Sequence, residues 1–299
     1  MHDNETPRPI MIAGNNSSHI DYCTERLSSR PFVIEIDITT NQTIDKSWKL
    51  QDLELEDAIA DIYDKLYHTT RFSDYMYRSF VSLISETTQT GETVLELACG
   101  TATITQMLQQ SRSDLKCHCM DLSEGMLRIA SKRCPDCTRS DMENLPYHDN
   151  VFGTVVVHSA LHHFPNLDKI FFEVKRVLQK GGHVIIQEPN KKTLQKVLSL
   201  RVLNFVAQSL GIKRYPDLSY LETGQPSEHH GLLDMEKVVD SLAKTGFEIT
   251  KADPVFYSSA YFRQLDSRVT HEAGKLADRF YIRKFHGGYM FHVLATSPV

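Results

Sequence analysis

The sequence predicts an α/β fold in which a mostly parallel β-sheet carries helices on both faces. From residue 91 onward, short apolar segments alternate with segments of helical periodicity, an order typical of strands joined by crossover helices. The apolar segments are hydrophobic at nearly every position, which indicates strands buried on both faces. Ligands of such sheets bind at the carboxyl ends of the strands, where the strand order reverses.

The predicted elements follow one another regularly up to Pro189. The strands of this part are Thr93–Ala98, Leu115–Met120, a short strand ending at Asp141, Val151–Ser159 and Gly182–Glu188. The helices between them are Ala102–Gln110, a helix capped by Ser123 and running to Arg133, and Leu167–Leu178, ended by Gly181 and Gly182. The later pattern predicts helices Leu194–Leu210, Met235–Thr245 and Ser267–Phe280, and strands Phe247–Ala252 and Gly288–Ser297.

Three parts are predicted along the chain. Residues 1–50 are polar and rich in Asn and Ser, and they form an N-terminal extension that is partly loose, with a weak hairpin signal at 31–48. Residues 51–90 carry apolar side chains at helical spacing and form a helical cap. Residues 91–299 form the α/β domain, in which the aperiodic insertion 190–233 is predicted to be a substrate lid.

Composition and charge exclude several classes of protein. Lys and Arg number 33 against 38 Asp and Glu, so the chain has no general attraction for nucleic acid or anionic lipid. No apolar run approaches the ~18 residues of a membrane span, and the N-terminus lacks the pattern of a secretory signal. Six cysteines without such a signal indicate reduced thiols. We therefore expect a soluble cytoplasmic protein that acts on a small molecule, with no nucleic-acid or membrane partner.

The most informative segment is VLELACGTAT, Val94–Thr103. A strand ends near Glu96, a turn of small residues follows and a helix opens near Ala102, so a ligand can approach the backbone closely. Asp121 stands 21 residues after Gly100, where a carboxylate can accept hydrogen bonds from both hydroxyls of a ribose. A dinucleotide site is disfavoured, because it needs several glycines and a carboxylate here would repel its pyrophosphate.

Five segments in order resemble the class I S-adenosylmethionine (SAM)-dependent methyltransferases. They are VLELACGTAT, MDLSEGMLRIA, DMENLPYHDNVF, SALHHF and EVKRVLQKGG, all between Glu92 and Pro189. The resemblance is to the small-molecule type (methyltransferase type 11), which includes enzymes of the ubiquinone and menaquinone pathways. It implies a Rossmann-like seven-stranded sheet of order 3-2-1-4-5-7-6, SAM as cofactor with S-adenosylhomocysteine (SAH) as product, and transfer of a methyl group.

The resemblance also implies which residues hold SAM. Those implied near the methionine end and around the donor are Tyr63, Glu96, Ala98, Gly100, Thr101 and Ser159. Those implied near the ribose and adenine are Asp121, Leu122, Met126, Asp141 and Met142. Ala98 and Ala102 stand at glycine-type positions of the family, and Gly153 replaces a common Asp. For Tyr63, packing of the cap on the domain is an equal alternative.

Two neighbouring strand ends carry the candidates for proton transfer. His162 and His163 follow the fourth predicted strand, and Glu188 ends the fifth. Imidazole titrates near neutral pH and suits a general base, which a carboxylate can orient. We expect O-methylation with His162 or His163 as base and Glu188 as its orienting group, although helix capping is an equal alternative for each histidine. C- or N-methylation, a SAM-binding protein without methyl transfer, and a homodimer all stay open.

The cysteines raise the question of a metal site. Cys117, Cys119, Cys134 and Cys137 form C-x-C-x14-C-x2-C, a spacing that superficially resembles a zinc site. Cys117 and Cys119 fall on one face of a central strand, and cysteine is among the most buried residue types. We therefore predict no metal. The pair His229-His230 in the lid is predicted to be solvated rather than part of a site.

Overall fold

The computed structural model describes residues 47–191, 233–256, 267–285 and 288–299. Its centre is a seven-stranded sheet of order β3-β2-β1-β4-β5-β7-β6, in which only β7 runs antiparallel to its neighbours. The strands are β1 (Thr93–Leu97), β2 (Lys116–Asp121), β3 (Cys137–Arg139), β4 (Phe152–His158), β5 (Leu178–Pro189), β6 (Glu248–Val255) and β7 (Met290–Thr296). The predicted fold class and strand order are confirmed.

Helices lie on both faces of the sheet and over its carboxyl edge. They are α1 (Ser47–Ile59), α2 (Tyr63–Tyr67), α3 (Arg71–Thr87), α4 (Thr103–Ser111), α5 (Glu124–Ala130), α6 (Leu167–Val177), α7 (Met235–Lys244) and α8 (Arg268–Phe285). Ser123 caps α5 as predicted, because its hydroxyl accepts a hydrogen bond from the Met126 amide at 3.0 Å. Among the described residues, no helix is long and apolar enough to cross a membrane.

The core occupies both faces of the central strands. On one face, alternate residues of β1, β4 and β5 pack against α6 and α7; examples are Leu95, Val155 and Val184. On the other face, their neighbours Val94, Val156 and Ile185 pack against α3 and α4. Because successive side chains of a strand point to opposite faces, these strands bury nearly every residue, which explains their continuous hydrophobicity.

The start of β5 differs from the prediction. Gly181 and Gly182 lie inside β5 instead of ending the helix, because the strand already begins at Leu178. The Ser297 amide donates a hydrogen bond to the Gly182 carbonyl oxygen, and the Gly181 amide donates one to the Ser297 carbonyl oxygen. A Cβ atom on Gly182 would come within 2.7 Å of the Gly153 carbonyl oxygen, so glycine is needed there for close approach of the two strands.

Part of the predicted chain organisation lies outside the described residues. The hairpin signal at 31–48 falls mostly there, as do helix Leu194–Leu210 and His229-His230. The two ends of the insertion 190–233 are described, and Asn190 forms a parallel bridge with Leu233. The insertion therefore leaves and re-enters the domain at one point, directly after β5. Its function as a lid stays a prediction, as does the division into three parts.

Candidate active site

A cavity opens at the carboxyl ends of β1, β2 and β4 and is covered by α1 and α2. Ten of the eleven predicted SAM contacts line it: Tyr63, Glu96, Ala98, Gly100, Thr101, Asp121, Leu122, Asp141, Met142 and Ser159. Met126 does not, because its side chain is buried in the packing of α5. The strand order reverses between β1 and β4, where ligands of open α/β sheets bind. The fold therefore brings ten of the predicted SAM contacts together at one edge of the sheet.

The loop after β1 turns sharply through three left-handed residues. Ala98, Gly100 and Ala102 have φ angles of 47°, 53° and 58°. This conformation costs an alanine roughly 1–2 kcal/mol and glycine almost nothing, so the two alanines adopt the backbone of the family's glycines under strain. A Cβ atom on Gly100 would lie 4.0 Å from Cε1 of Tyr63. A side chain would thus meet only ordinary van der Waals contact there, and glycine suits the position because of its positive φ angle.

Asp121 at the end of β2 fixes that loop to the next one. Its Oδ2 accepts a hydrogen bond from the Gly100 amide at 2.8 Å, and its Oδ1 accepts one from the Ser123 amide at 2.9 Å. Burial raises the pKa of this carboxyl group, although both amides act in the opposite direction. Each carboxylate oxygen has a second lone pair, so Asp121 can still accept hydrogen bonds from hydroxyl groups in the cavity.

Glu96 is a buried carboxyl group beneath the same loop. Its Oε2 accepts hydrogen bonds from the Thr105 hydroxyl at 2.6 Å and the Thr105 amide at 3.1 Å, within the first turn of α4. Burial raises its pKa to about 8, since these two donors offset only part of the desolvation. A cation in the cavity would favour the ionised form, so Glu96 suits the ammonium group of a bound amino acid moiety.

At the other end of the cavity, α1 contributes a buried cation. Lys49 Nζ lies 2.5 Å from Asp141 Oδ2 and 2.6 Å from Glu143 Oε2, and its side chain is only 4% exposed. Asp141 Oδ1 also accepts a hydrogen bond from the Glu143 amide at 2.9 Å. Lys49 therefore pairs with the Asp141 carboxylate, the group that the resemblance assigns to binding of adenine. Sequence reasoning missed Lys49, because nothing in a polar segment shows which residue it reaches.

Two further acidic residues of α1 face the cavity. Burial raises the pKa of Glu56 to about 7, an effect that the nearby His163 partly offsets and Asp121 strengthens. Asp52 Oδ2 lies 3.4 Å from Nδ1 of His163. Helix α1 therefore contributes to the site directly, as the sequence had implied for Tyr63 alone in this part of the chain.

The turn after β4 is held by a buried carboxylate. Ser159 has a φ of 51°, and the next two amides, those of Ala160 and Leu161, donate to Glu188 Oε1 at 2.6 and 2.7 Å. Glu188 Oε2 lies 2.9 Å from Nδ1 of His162. Burial alone would raise the pKa of Glu188, but the hydrogen bonds from His162 and the amides outweigh it, so the pKa lies below its ordinary value. The predicted pair His162–Glu188 is therefore in contact.

The two predicted histidines face different surroundings. Among the described residues, His163 lines the cavity whereas His162 and Glu188 do not. The ring centroids of His162 and His163 lie 4.3 Å apart. Seen from the cavity, His162 therefore packs behind His163. Four aromatic residues that sequence reasoning did not single out also line the cavity: His68, Tyr77, His158 and Phe164. The signal for His158 was present, since a histidine at the end of the apolar strand VVVH is unusual.

The cysteines form a buried cluster beside the loop. The sulfur atoms of Cys119, Cys134 and Cys137 all lie within 4.8 Å of one another. Cys137 Sγ lies 2.9 Å from the Cys134 carbonyl oxygen, and Cys134 Sγ lies 3.4 Å from the Cys117 carbonyl oxygen. The described cysteines are free and buried. The prediction of no metal stays a prediction.

The chemistry of the cavity fits SAM. The loop side presents the carboxyl groups of Glu96 and Asp121, and Lys49 is engaged by Asp141 and Glu143. SAM carries an ammonium and a sulfonium group and no phosphate, so acidic groups at its amino acid end and ribose are the partners it needs. Gly100 lines the cavity and has no side chain to separate a ligand from its backbone.

Comparison with known proteins assigns the family. Residues 95–186 match the family model described as a methyltransferase domain. A demethylmenaquinone methyltransferase of Thermotoga maritima is 30% identical over 218 residues, which cover 70% of this chain and 92% of that enzyme. The chain belongs to the class I SAM-dependent methyltransferases. This methyltransferase, with SAM as its cofactor, is also 28% identical to the ubiquinone/menaquinone biosynthesis C-methyltransferase UbiE of Nitrosospira multiformis over 203 residues, covering 64% of this chain and 82% of that enzyme.

Solved structures agree on the fold of this methyltransferase. The 4+2 cyclase SpnF has a TM-score of 0.57 and 17% identity, covering 83% of this chain and 96% of its own. Phosphoethanolamine N-methyltransferase 2 of Haemonchus contortus, a complex containing SAH, has a TM-score of 0.55 and 15% identity, covering 85% of this chain and 61% of its own. At such identities the likeness concerns the fold alone.

Proposed function

We propose that this methyltransferase transfers the methyl group of SAM to a ring carbon of a small hydroxylated aromatic acceptor, such as a hydroquinone. The identity to a demethylmenaquinone methyltransferase across 92% of that enzyme carries the proposal, and the second relative is named a C-methyltransferase. The cavity supports it, since the aromatic rings of Tyr63, Tyr77 and Phe164 line it beside imidazole and carboxyl groups. Such walls suit a ring that carries hydroxyl groups.

When bound, SAM supplies a methyl group on a positively charged sulfur, which is already activated for attack. The residues of the chain have to align the acceptor and remove a hydroxyl proton. Loss of that proton raises the electron density on the oxygen and on the adjacent ring carbons. Overall, one hydrogen of the acceptor is replaced by the methyl group and one proton is released.

We assign removal of the proton to His163. It lines the cavity, and the Asp52 carboxylate beside its Nδ1 leaves Nε2 to take the proton and stabilises the imidazolium that forms. His162 acts as a positioning residue, because its ring stacks on His163 and its Nδ1 is held by Glu188. Glu188 thereby keeps the orienting role expected from the sequence, directed at His162.

O-methylation is the second candidate. It is favoured by the same His163–Asp52 pair, because a base that removes a hydroxyl proton makes the oxygen itself a nucleophile. Under both proposals the acceptor is a small molecule rather than a nucleic acid. A homodimer stays a prediction.

The position of the new methyl group decides between the two candidates. The protein is incubated with SAM bearing a CD3 group and with 1,4-dihydroxynaphthalene under reducing conditions, and the product is analysed by mass spectrometry and NMR. We expect a ring methyl group on C2. A methyl ether would establish O-transfer instead, and no product from protein that binds SAM would contradict this acceptor class.

A variant tests the base. His163→Ala should lower kcat by roughly 100-fold or more, because general base catalysis contributes about that much, while the affinity for SAH stays unchanged. His118→Ala is the matched control, since His118 packs against Phe152 and does not line the cavity. Wild-type turnover in His163→Ala would refute the assignment.

A further inference from the structure

A group of buried thiols lies beside the loop after β1, and the mechanism above uses none of them. The sulfur atoms of Cys119, Cys134 and Cys137 all lie within 4.8 Å of one another, although the residues come from three elements. Cys119 lies on β2, Cys137 begins β3, and Cys134 lies in the connection between α5 and β3. All three residues are buried. Folding therefore gathers three sulfur atoms at one point inside the domain.

The pairing of β2 with β3 explains why these thiols meet. Cys119 and Cys137 are direct partners in the parallel ladder, so their side chains point to the same face of the sheet. Residues 134–137 read C-P-D-C, a spacing at which two cysteines of one turn can bind the same metal ion. The Asp136 carbonyl oxygen accepts a hydrogen bond from the Cys119 amide at 2.9 Å, which fixes this turn against β2.

A fourth cysteine stands next to the group. The thiol of Cys99 interacts with that of Cys119, and Cys99 belongs to the same buried cluster as the other three cysteines. Cys99 lies in the loop after β1, directly before Gly100, and lines the cavity. The loop to which the resemblance assigns SAM therefore brings a fourth sulfur atom to the group.

Thiolate sulfur is a ligand for soft and borderline cations. Zn²⁺ binds cysteine thiolates tetrahedrally at about 2.3 Å, which places two sulfur atoms of one site about 3.8 Å apart. Sulfur atoms within 4.8 Å of one another reach that separation by small side-chain rotations. Mg²⁺ and Ca²⁺ are disfavoured, because they bind oxygen.

Cysteine also serves as an ordinary core residue, and the spacing in the sequence alone favoured that interpretation and hence no metal. The spacing could not show that the C-x2-C turn packs against Cys119, nor that Cys99 joins it from another strand end. Convergence of separate cysteines on one point is the pattern of a structural zinc site.

We propose that Cys119, Cys134 and Cys137 bind a structural Zn²⁺ ion, with Cys99 as the fourth ligand. Each thiol loses its proton when it binds the ion. The site is closed, because four protein ligands leave no position for water or substrate. The ion ties the loop after β1 to β2 and to the connection before β3, and it supports the two left-handed alanines of that loop. It takes no part in methyl transfer, so the inference is independent of the proposed function.

Metal analysis of the whole protein tests this inference. Wild type and variants are produced without a tag in medium supplied with Zn²⁺, kept reduced, dialysed against metal-free buffer and analysed by elemental mass spectrometry. We expect about one zinc ion per chain in wild type and roughly a tenth of that or less in Cys134→Ala and Cys137→Ala, since loss of a ligand weakens binding strongly. Cys117→Ala is the matched control, because Cys117 is also buried on β2 but is not one of the three clustered cysteines. This variant should retain the ion.

Replacement of zinc by Co²⁺ reports the ligands directly. Wild type produced in medium with Co²⁺ should show intense sulfur-to-cobalt charge-transfer absorption and the visible bands of a tetrahedral site, and Cys99→Ala should lose the tetrahedral bands. Wild type that holds no stoichiometric zinc would overturn the inference, as would a cobalt form without sulfur bands. Equal zinc in wild type, Cys134→Ala and Cys137→Ala would also overturn it, because the ion would then be bound elsewhere. The two wild-type measurements decide even where a variant fails to fold.

Discussion

Three carboxyl groups at the residue scale define the electrostatics of the cavity. Burial raises the pKa of Glu56 to about 7, that of Glu96 to about 8, and that of Asp121 above its ordinary value. Glu56 and Glu96 therefore carry a proton part of the time near neutral pH. A cationic ligand favours their ionised forms, so its binding is coupled to release of protons.

Glu56 makes folding depend on pH. Its pKa is about 7 in the folded state against an ordinary 4.5, so between these values the folded state retains a proton that the unfolded state has lost. Stability therefore falls as pH rises through this range. Glu56→Gln should remove the penalty, and its advantage over wild type should grow by on the order of 2–3 kcal/mol from pH 5 to pH 8.

Urea unfolding of both proteins at the two pH values measures this difference. Glu54→Gln is the matched control, because Glu54 lies on the same helix and is exposed. A stability difference between Glu56→Gln and wild type that does not change with pH would contradict a buried, proton-bearing Glu56.

Helix α1 is the element on which closure of the cavity depends. Asp57 Oδ1 accepts hydrogen bonds from the Ser123 hydroxyl at 2.5 Å and from the Gly125 amide at 2.8 Å, at the N-terminus of α5. A carboxylate is favoured there by the free amides and the helix dipole. Earlier on α1, Lys49 pairs with Asp141 and Asp52 pairs with His163 on the cavity wall.

Gly125 allows this contact. A Cβ atom there would lie 3.0 Å from Cα of Asp57 and 3.1 Å from its carbonyl oxygen. Gly125→Ala should therefore displace α1 while favouring α5 through helix propensity. We expect amide exchange in residues 47–59 to become roughly fivefold faster, the effect of about 1 kcal/mol, while exchange in the central strands stays unchanged.

Glu124→Ala provides the control for Gly125→Ala, since Glu124 is on the same helix and pairs with Arg139 instead of α1. If amide exchange in residues 47–59 is as slow in Gly125→Ala as in wild type, α1 is not held at this point.

The elements also show which features a sequence can reveal. Continuous hydrophobicity predicted the strands, because local composition determines it. The strand order and ten of the cavity residues came instead from the resemblance to the methyltransferase family. Lys49 could not be found in this way, since Asp141 lies 92 residues away and its pairing depends on how α1 packs. The early start of β5 depends on the close approach of Gly182 to Gly153, which is also a tertiary contact.

On the scale of the whole molecule, the fold places an acidic, partly protonated cavity where the strand order reverses and covers it with a cap that carries its own charges. SAM has a sulfonium charge that SAH lacks. We therefore expect SAM binding to tighten more than SAH binding between pH 6 and pH 8, as the carboxyl groups ionise.

The most direct test of the cofactor site is calorimetric titration with SAM and SAH at both pH values, for wild type, Asp121→Asn and Asp114→Asn. Asp114 precedes β2 at its opposite end and pairs with Arg112, so its variant should bind like wild type. Asp121→Asn should bind both ligands roughly 10- to 100-fold more weakly, the effect of losing hydrogen bonds to a charged group. Wild-type affinity in Asp121→Asn would contradict the assignment of this cavity to SAM.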